Sequence, residues 1–145
     1  MDKMSSDEIY AGFGQFKKAF DEHWKNGSTE SSQSHYMLRF YSVECGLKSM
    51  YIHKSDKSHK ITSKDMPKHG HRLELWIKEL KIPASISPPP QFTLHSASSI
   101  RSPLTIYRAH EAWRYGVAMN PSHERKIVEW LERVGDFIRE SLKEA

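Results

Sequence analysis

The sequence predicts an all-α fold, an antiparallel bundle of four to five helices, and three observations lead there. Apolar residues recur every three or four positions over several stretches of a dozen residues or more. Helix-starting signals stand in front of those stretches, and no strand–helix alternation suggests a parallel sheet. At 145 residues the chain is long enough to bury one core and too short for two, so a single domain over residues 1–145 is expected. With 37% hydrophobic and 28% charged residues, disordered, collagen-like and disulfide-scaffold classes are excluded.

The first helix is expected over about 7–25, because Ile9, Phe13, Phe16, Phe20 and Trp24 share one helical face and Ser5 or Ser6 offers a cap. Asn26-Gly27 ends it. A second helix begins near Ser32 and carries Tyr36, Phe40, Val43, Leu47, Met50 and Tyr51 on one stripe, so the two pair as a hairpin. Residues 54–70 are rich in Lys and His and punctuated by Pro67 and Gly70, which reads as an exposed, mobile loop. A short helix over about 71–80 follows, with Leu73, Trp76, Ile77 and Leu80 on a common face, stopped by Pro83.

Residues 81–103 form a long Pro/Ser-rich loop before helix four, in which Phe92 and Leu94 suggest a short extended piece. Helix four is expected over about 104–117. Asn120-Pro121 then reads as an N-cap followed by proline at the first helical position of helix five, which runs to about Leu142 on Ile127, Trp130, Leu131, Val134, Phe137 and Ile138.

Chemistry concentrates on helix four and the start of helix five. His110 and Arg114 are four apart, and Glu111 and Arg114 three apart, so all three can share a face. His123 sits in the first turn of helix five, where unpaired N–H groups favour a phosphate. A guanidinium, an imidazole and a helix N-terminus together suit a phosphodiester, with His as acid or base and Arg114 on the developing charge. The same spacing equally fits a surface ion pair for Glu111 and Arg114 and a capping role for His123.

Other candidates are weaker. His69-Gly70-His71 lacks a third ligand at a recognised spacing, so a structural or capping role is preferred and no metal is expected. Cys45, the one cysteine, lies inside an amphipathic helix and reads as a packing residue. No glycine pair is followed by the lysine and hydroxyl of a phosphate loop.

The segment 36–49, with its Glu44-Cys45-Gly46-Leu47-Lys48 run, resembles the second helix of the HEPN family of small helical bundles. Gly70-His71-Arg72-Leu73 is similar to that family's G-H-x-L helix start, and Trp113-Arg114-Tyr115-Gly116 resembles its closing R-Y element. The resemblance implies an antiparallel bundle that commonly forms a homodimer and serves RNA cleavage, toxin–antitoxin pairs or antiviral defence. Active members carry an Arg followed a few residues later by a His, whereas here eight residues separate Arg114 from His123, and eight separate Arg101 from His110. Two functions are therefore expected side by side. One is a non-enzymatic or degenerate binding and regulatory module acting on RNA or a partner protein. The other is a metal-independent endoribonuclease in which Arg114 and His123 act with His110 and Glu111. In either, Arg108, Asn120, Arg125 and Lys126 are assigned to RNA contact.

The net charge of 22 − 18 = +4 permits RNA or acidic-protein partners without demanding them. No cofactor is expected. No apolar stretch approaches the roughly 20 residues of a membrane span, and the polar N-terminus has no signal-peptide core, so a cytoplasmic protein is expected.

Overall fold

The computed structural model describes residues 9–83, 85–86, 89–95 and 103–143. Five α-helices account for most of them: α1 (Phe13–Gly27), α2 (Gln33–Ser55), α3 (Leu73–Glu79), α4 (Ala109–Arg114) and α5 (Pro121–Leu142). Among the described residues there is no strand beyond two isolated antiparallel bridges, Phe92 with Leu104 and Leu94 with Met119. The fold is all-α, and no helix among the described residues is long and apolar enough to cross a membrane.

Helix α2 is the hub, packed against each of the other four. Its start is the expected one, because the Ser32 hydroxyl accepts from the His35 N–H at 3.4 Å. A helix with neighbours on several sides cannot keep a single apolar stripe. Phe40, Val43 and Leu47 face one set of partners, while Ser42, Gly46 and Ser49 are buried against others. The small polar residues cost nothing there, since Ser42 donates to the Phe20 carbonyl at 2.6 Å and Ser49 to the Gly46 carbonyl at 2.7 Å. Where α1 turns back into α2, Gly27 lets the backbones meet. A Cβ on it would lie 2.9 Å from the His35 carbonyl oxygen. Arg39 ties that corner, donating to the carbonyls of Gly27 at 2.8 Å and Glu30 at 3.2 Å.

Three expected boundaries move. The first helix starts at Phe13, with Gly12 as its cap, and Ile9 is 94% exposed off its end. The chain leaves the helical path there because Ala11 exchanges hydrogen bonds with Ser63, its N–H to the Ser63 hydroxyl and its carbonyl to the Ser63 N–H. The suggested caps Ser5 and Ser6 lie outside the described residues. The same contact corrects the reading of 54–70 as an exposed loop. It contains a 3-10 turn at Ser63–Asp65, and Met66 is buried in the core. Helix four is much shorter than 104–117. A 3-10 turn at Ile106–Arg108 precedes it, and Leu104 and Met119 are held in the bridges instead.

Helix α5 begins where the sequence places it. The Asn120 carboxamide oxygen accepts from the N–H groups of Ser122 at 3.0 Å and His123 at 3.2 Å, with Pro121 at the first position. Its Ile127, Trp130, Leu131, Val134 and Ile138 are all fully buried.

Candidate functional site

A polar cluster forms where α2, the entry to α3 and the end of α4 converge. Glu44 lies on the buried side of α2, and its carboxylate joins two hydrogen-bond donors, Lys48 and His71. Lys48, one turn on, donates to Oε2 at 2.7 Å, and His71 Nδ1 lies 2.6 Å from Oε1. Because a carboxylate only accepts, His71 donates through Nδ1 and its Nε2 is left as the nitrogen able to exchange a proton. The side chain of His71 is 45% exposed. Behind it stands His110, with ring centroids 4.3 Å apart, and both imidazoles pack against Tyr41.

His110 is the inner member, only 4% exposed, and its Nδ1 lies 2.6 Å from the Tyr107 carbonyl, to which it donates. Burial lowers its pKa, His71 beside it lowers it further, and the carbonyl bond opposes both. His110 is thus held neutral. Arg114 closes the cluster on the solvent side. Its guanidinium donates to the Tyr41 hydroxyl and lies 5.9 Å from the ring centroids of both Tyr41 and Tyr115. The hydroxyl of Tyr41 and then that of Tyr115 raise its already high pKa, so it is a permanent cation.

A lowered histidine pKa is a statement about stability. The unfolded chain takes up the proton near the ordinary value of 6.5, whereas the folded chain resists it, so the fold is at full strength above that value and weakens as the pH falls below it. His53 works in the same direction, lowered by burial and then by Lys57 and His59. The urea midpoint is expected to drop as the pH falls from about 6.5. A His110→Gln variant should show a shallower drop, and an unchanged slope would exclude His110 as a contributor.

The residues singled out in the sequence fall into separate places. His110 and Arg114 both belong to the cluster. Glu111 does not pair with Arg114 but with Arg108, whose Nε lies 2.8 Å from Oε1. That pair lines a pocket of about 150 Å3 walled by Phe92, Leu94, Leu104, Ala112, Tyr115 and Val117. Tyr115 therefore belongs to this pocket on one side and to Arg114 on the other. His123 is used elsewhere, since its Nδ1 accepts from the Thr93 N–H at 3.0 Å and holds the bridge segment against α5. Asn120 caps α5, and Arg125 and Lys126 are exposed on that helix. Arg101 lies outside the described residues.

Glu44 and His71 were not singled out for this chemistry. His69 and His71 diverge rather than share an ion, His69 lying 3.1 Å from Glu79 and T-shaped on Trp76. Among the described residues no group of three potential ligands could hold a metal ion. The Cys45 thiol is pushed up to about 11 by burial and then by Glu44, which fits a packing residue and leaves it un-nucleophilic at neutral pH. Compared with known proteins, the chain matches no family model, no curated protein and no solved structure.

Proposed function

We propose that the protein is a HEPN-like module that binds RNA, gripping a backbone phosphate at Arg114, as a binding or regulatory component of a defence, stress or toxin–antitoxin system. The observation that carries this reading is an exposed, permanent cation framed by two aromatic rings with imidazoles at its back. Cations flanked by aromatic faces are what single-stranded nucleic acid is bound with, the charge taking a phosphate and the rings a base. A further point supports the family. The three segments that resemble HEPN proteins, 36–49, 70–73 and 113–116, supply Tyr41 and Glu44, His71, and Arg114, so they meet at this one cluster. The homodimer that the resemblance implies, and the cytoplasmic setting expected from the sequence, belong to the same proposal.

Binding of a mixed-sequence single-stranded RNA, followed by fluorescence anisotropy, tests it. Affinity should fall steeply with salt as counterions are released. Arg114→Ala should weaken binding about tenfold and reduce the salt slope by about one, with the circular dichroism spectrum unchanged because the side chain is exposed. Equal binding by wild type and variant, or no binding at low salt, would refute the reading.

A second reading, metal-independent RNA cleavage, is favoured by the Glu44–His71 hydrogen bond. A carboxylate that holds by Nδ1 an imidazole whose side chain is 45% exposed is the arrangement of a proton-transfer histidine. In that reaction His71 would take the proton of a 2′-hydroxyl as its oxygen attacks phosphorus. The 5′-oxygen leaves with a proton from water, and Arg114 neutralises the charge on the phosphorane. The site differs from the sequence expectation in using His71 in place of His123.

A further inference from the structure

We infer that the pocket beside Tyr115 is a base-reading subsite that accepts guanine from RNA whose phosphate lies on Arg114. The inference rests on the RNA reading above and adds the identity of the base. The pocket's roughly 150 Å3 is well below the about 300–1,000 Å3 of sites for drug-sized ligands, which leaves room for one flat ring system. Its floor is apolar, with Phe92 fully buried. Tyr115 at its side is 69% exposed and Val117 40% exposed, large apolar surface left in water next to a cation. An exposed tyrosine shared between a cation and a pocket with apolar walls is a stacking platform.

Charge separates the roles of the two neighbouring arginines. Arg108 is neutralised by Glu111, so the pocket presents a paired donor and acceptor with no net charge, which suits a neutral base and not a phosphate. Arg114 has no carboxylate partner among the described residues and is the place for the phosphate. The short step from Arg114 through Tyr115 to the pocket matches the way a nucleotide carries its base beside its phosphate.

Hydrogen-bonding chemistry then selects among bases. Guanine offers two adjacent acceptors, O6 and N7, which a guanidinium reads bidentately, and two adjacent donors, N1–H and the N2 amino group, which suit a carboxylate. Adenine gives each partner a single bond, and the pyrimidines leave part of the apolar floor uncovered. The Arg108–Glu111 pair is partly exposed on both sides, at 44% and 37%, so both groups are open to an incoming base edge.

Two titrations test this. In the first, fluorescein-labelled heptamers of uridine with a single central guanosine or adenosine are bound to the full chain. The guanosine heptamer should bind at least about tenfold more tightly, Glu111→Ala should lower that ratio, and the Arg108→Ala/Glu111→Ala double variant should bring it close to one. In the second, free guanosine and adenosine, which carry no phosphate, are titrated by NMR, and guanosine should saturate the Tyr115 and Val117 signals and lose that effect in Tyr115→Ala. Salt-dependent RNA binding that needs Arg114 but has a guanosine-to-adenosine ratio of one would overturn the subsite and leave the RNA reading standing. Saturable guanosine binding without RNA binding would support the subsite and remove the RNA reading. Absence of both would overturn both.

Discussion

Gly46→Val is expected to destabilise the fold by about 3 kcal/mol or more, and Gly46→Ala by about 1–2 kcal/mol, although alanine is the better helix former by about 1 kcal/mol. Gly46 sits in the middle of α2 where α1 and α5 both press on it. A Cβ there would lie 2.8 Å from Cγ2 of Ile138 and 2.8 Å from Cδ1 of Phe20. Neither neighbour can swing into solvent, because both are essentially fully buried. Helices α1 and α5 must therefore move apart, and the core they share with α2 opens with them. Valine adds two methyl groups to the same space. Gly14 gives the opposite result from the same chemistry, since it is exposed in α1 with nothing within 4 Å of its missing Cβ. Gly14→Ala should stabilise by about 0.5–1 kcal/mol through helix propensity alone. Urea denaturation should order the midpoints as Gly14→Ala, wild type, Gly46→Ala, Gly46→Val. A Gly46→Ala midpoint above wild type would show that the contact yields.

What could be read in the sequence was what is local. Ser32 and Asn120-Pro121 cap helices through neighbours two or three residues away, and both helices begin there. The periodicity of Ile9 with Phe13 ran on past Gly12, because the pairing of Ala11 with Ser63 lies 52 residues away and leaves no mark in the local pattern. The sequence likewise predicts helix four from about Leu104 to Val117. Bridges from Phe92 and Leu94 of the same chain claim Leu104 and Met119, and only Ala109–Arg114 is left α-helical. The candidate site divides along the same line. His110 and Arg114 were visible as neighbours on one helix, whereas the Glu44–His71 contact spans 27 residues and joins two segments whose spacing carries no signal. One sign of it was present: an acidic residue on the α2 side otherwise occupied by Phe40, Val43 and Leu47 has to find a partner, since a buried carboxylate without one is costly. His123 shows the converse. Its place at a helix N-terminus suggested a phosphate, but a contact 30 residues away engages its ring nitrogen with Thr93.

His71→Gln should lower EDTA-resistant RNA cleavage about 100-fold or more, if the protein cleaves, because glutamine cannot exchange the proton and general acid–base catalysis contributes about that factor. The fold should survive, since nearly half of the His71 side chain is in solvent. Glu44→Gln is the sharper variant. It keeps the shape and one acceptor oxygen for His71 while removing the charge that would stabilise an imidazolium, so cleavage should fall with RNA affinity retained. Arg114→Ala should instead lose affinity and rate together, because the guanidinium holds the phosphate in the ground state and meets the greater charge of the phosphorane in the transition state. His123→Ala gives the contrasting result: its ring supports the Thr93 segment, so it should lower the denaturation midpoint and leave the rate per folded molecule within a few-fold of wild type. Cleavage that is lost in His123→Ala and kept in His71→Gln would move the proton-transfer role back to the start of α5. No cleavage by the wild type, with Arg114-dependent RNA binding intact, would make the Glu44–His71 bond a strut between α2 and the entry to α3 in a protein that binds RNA without cutting it.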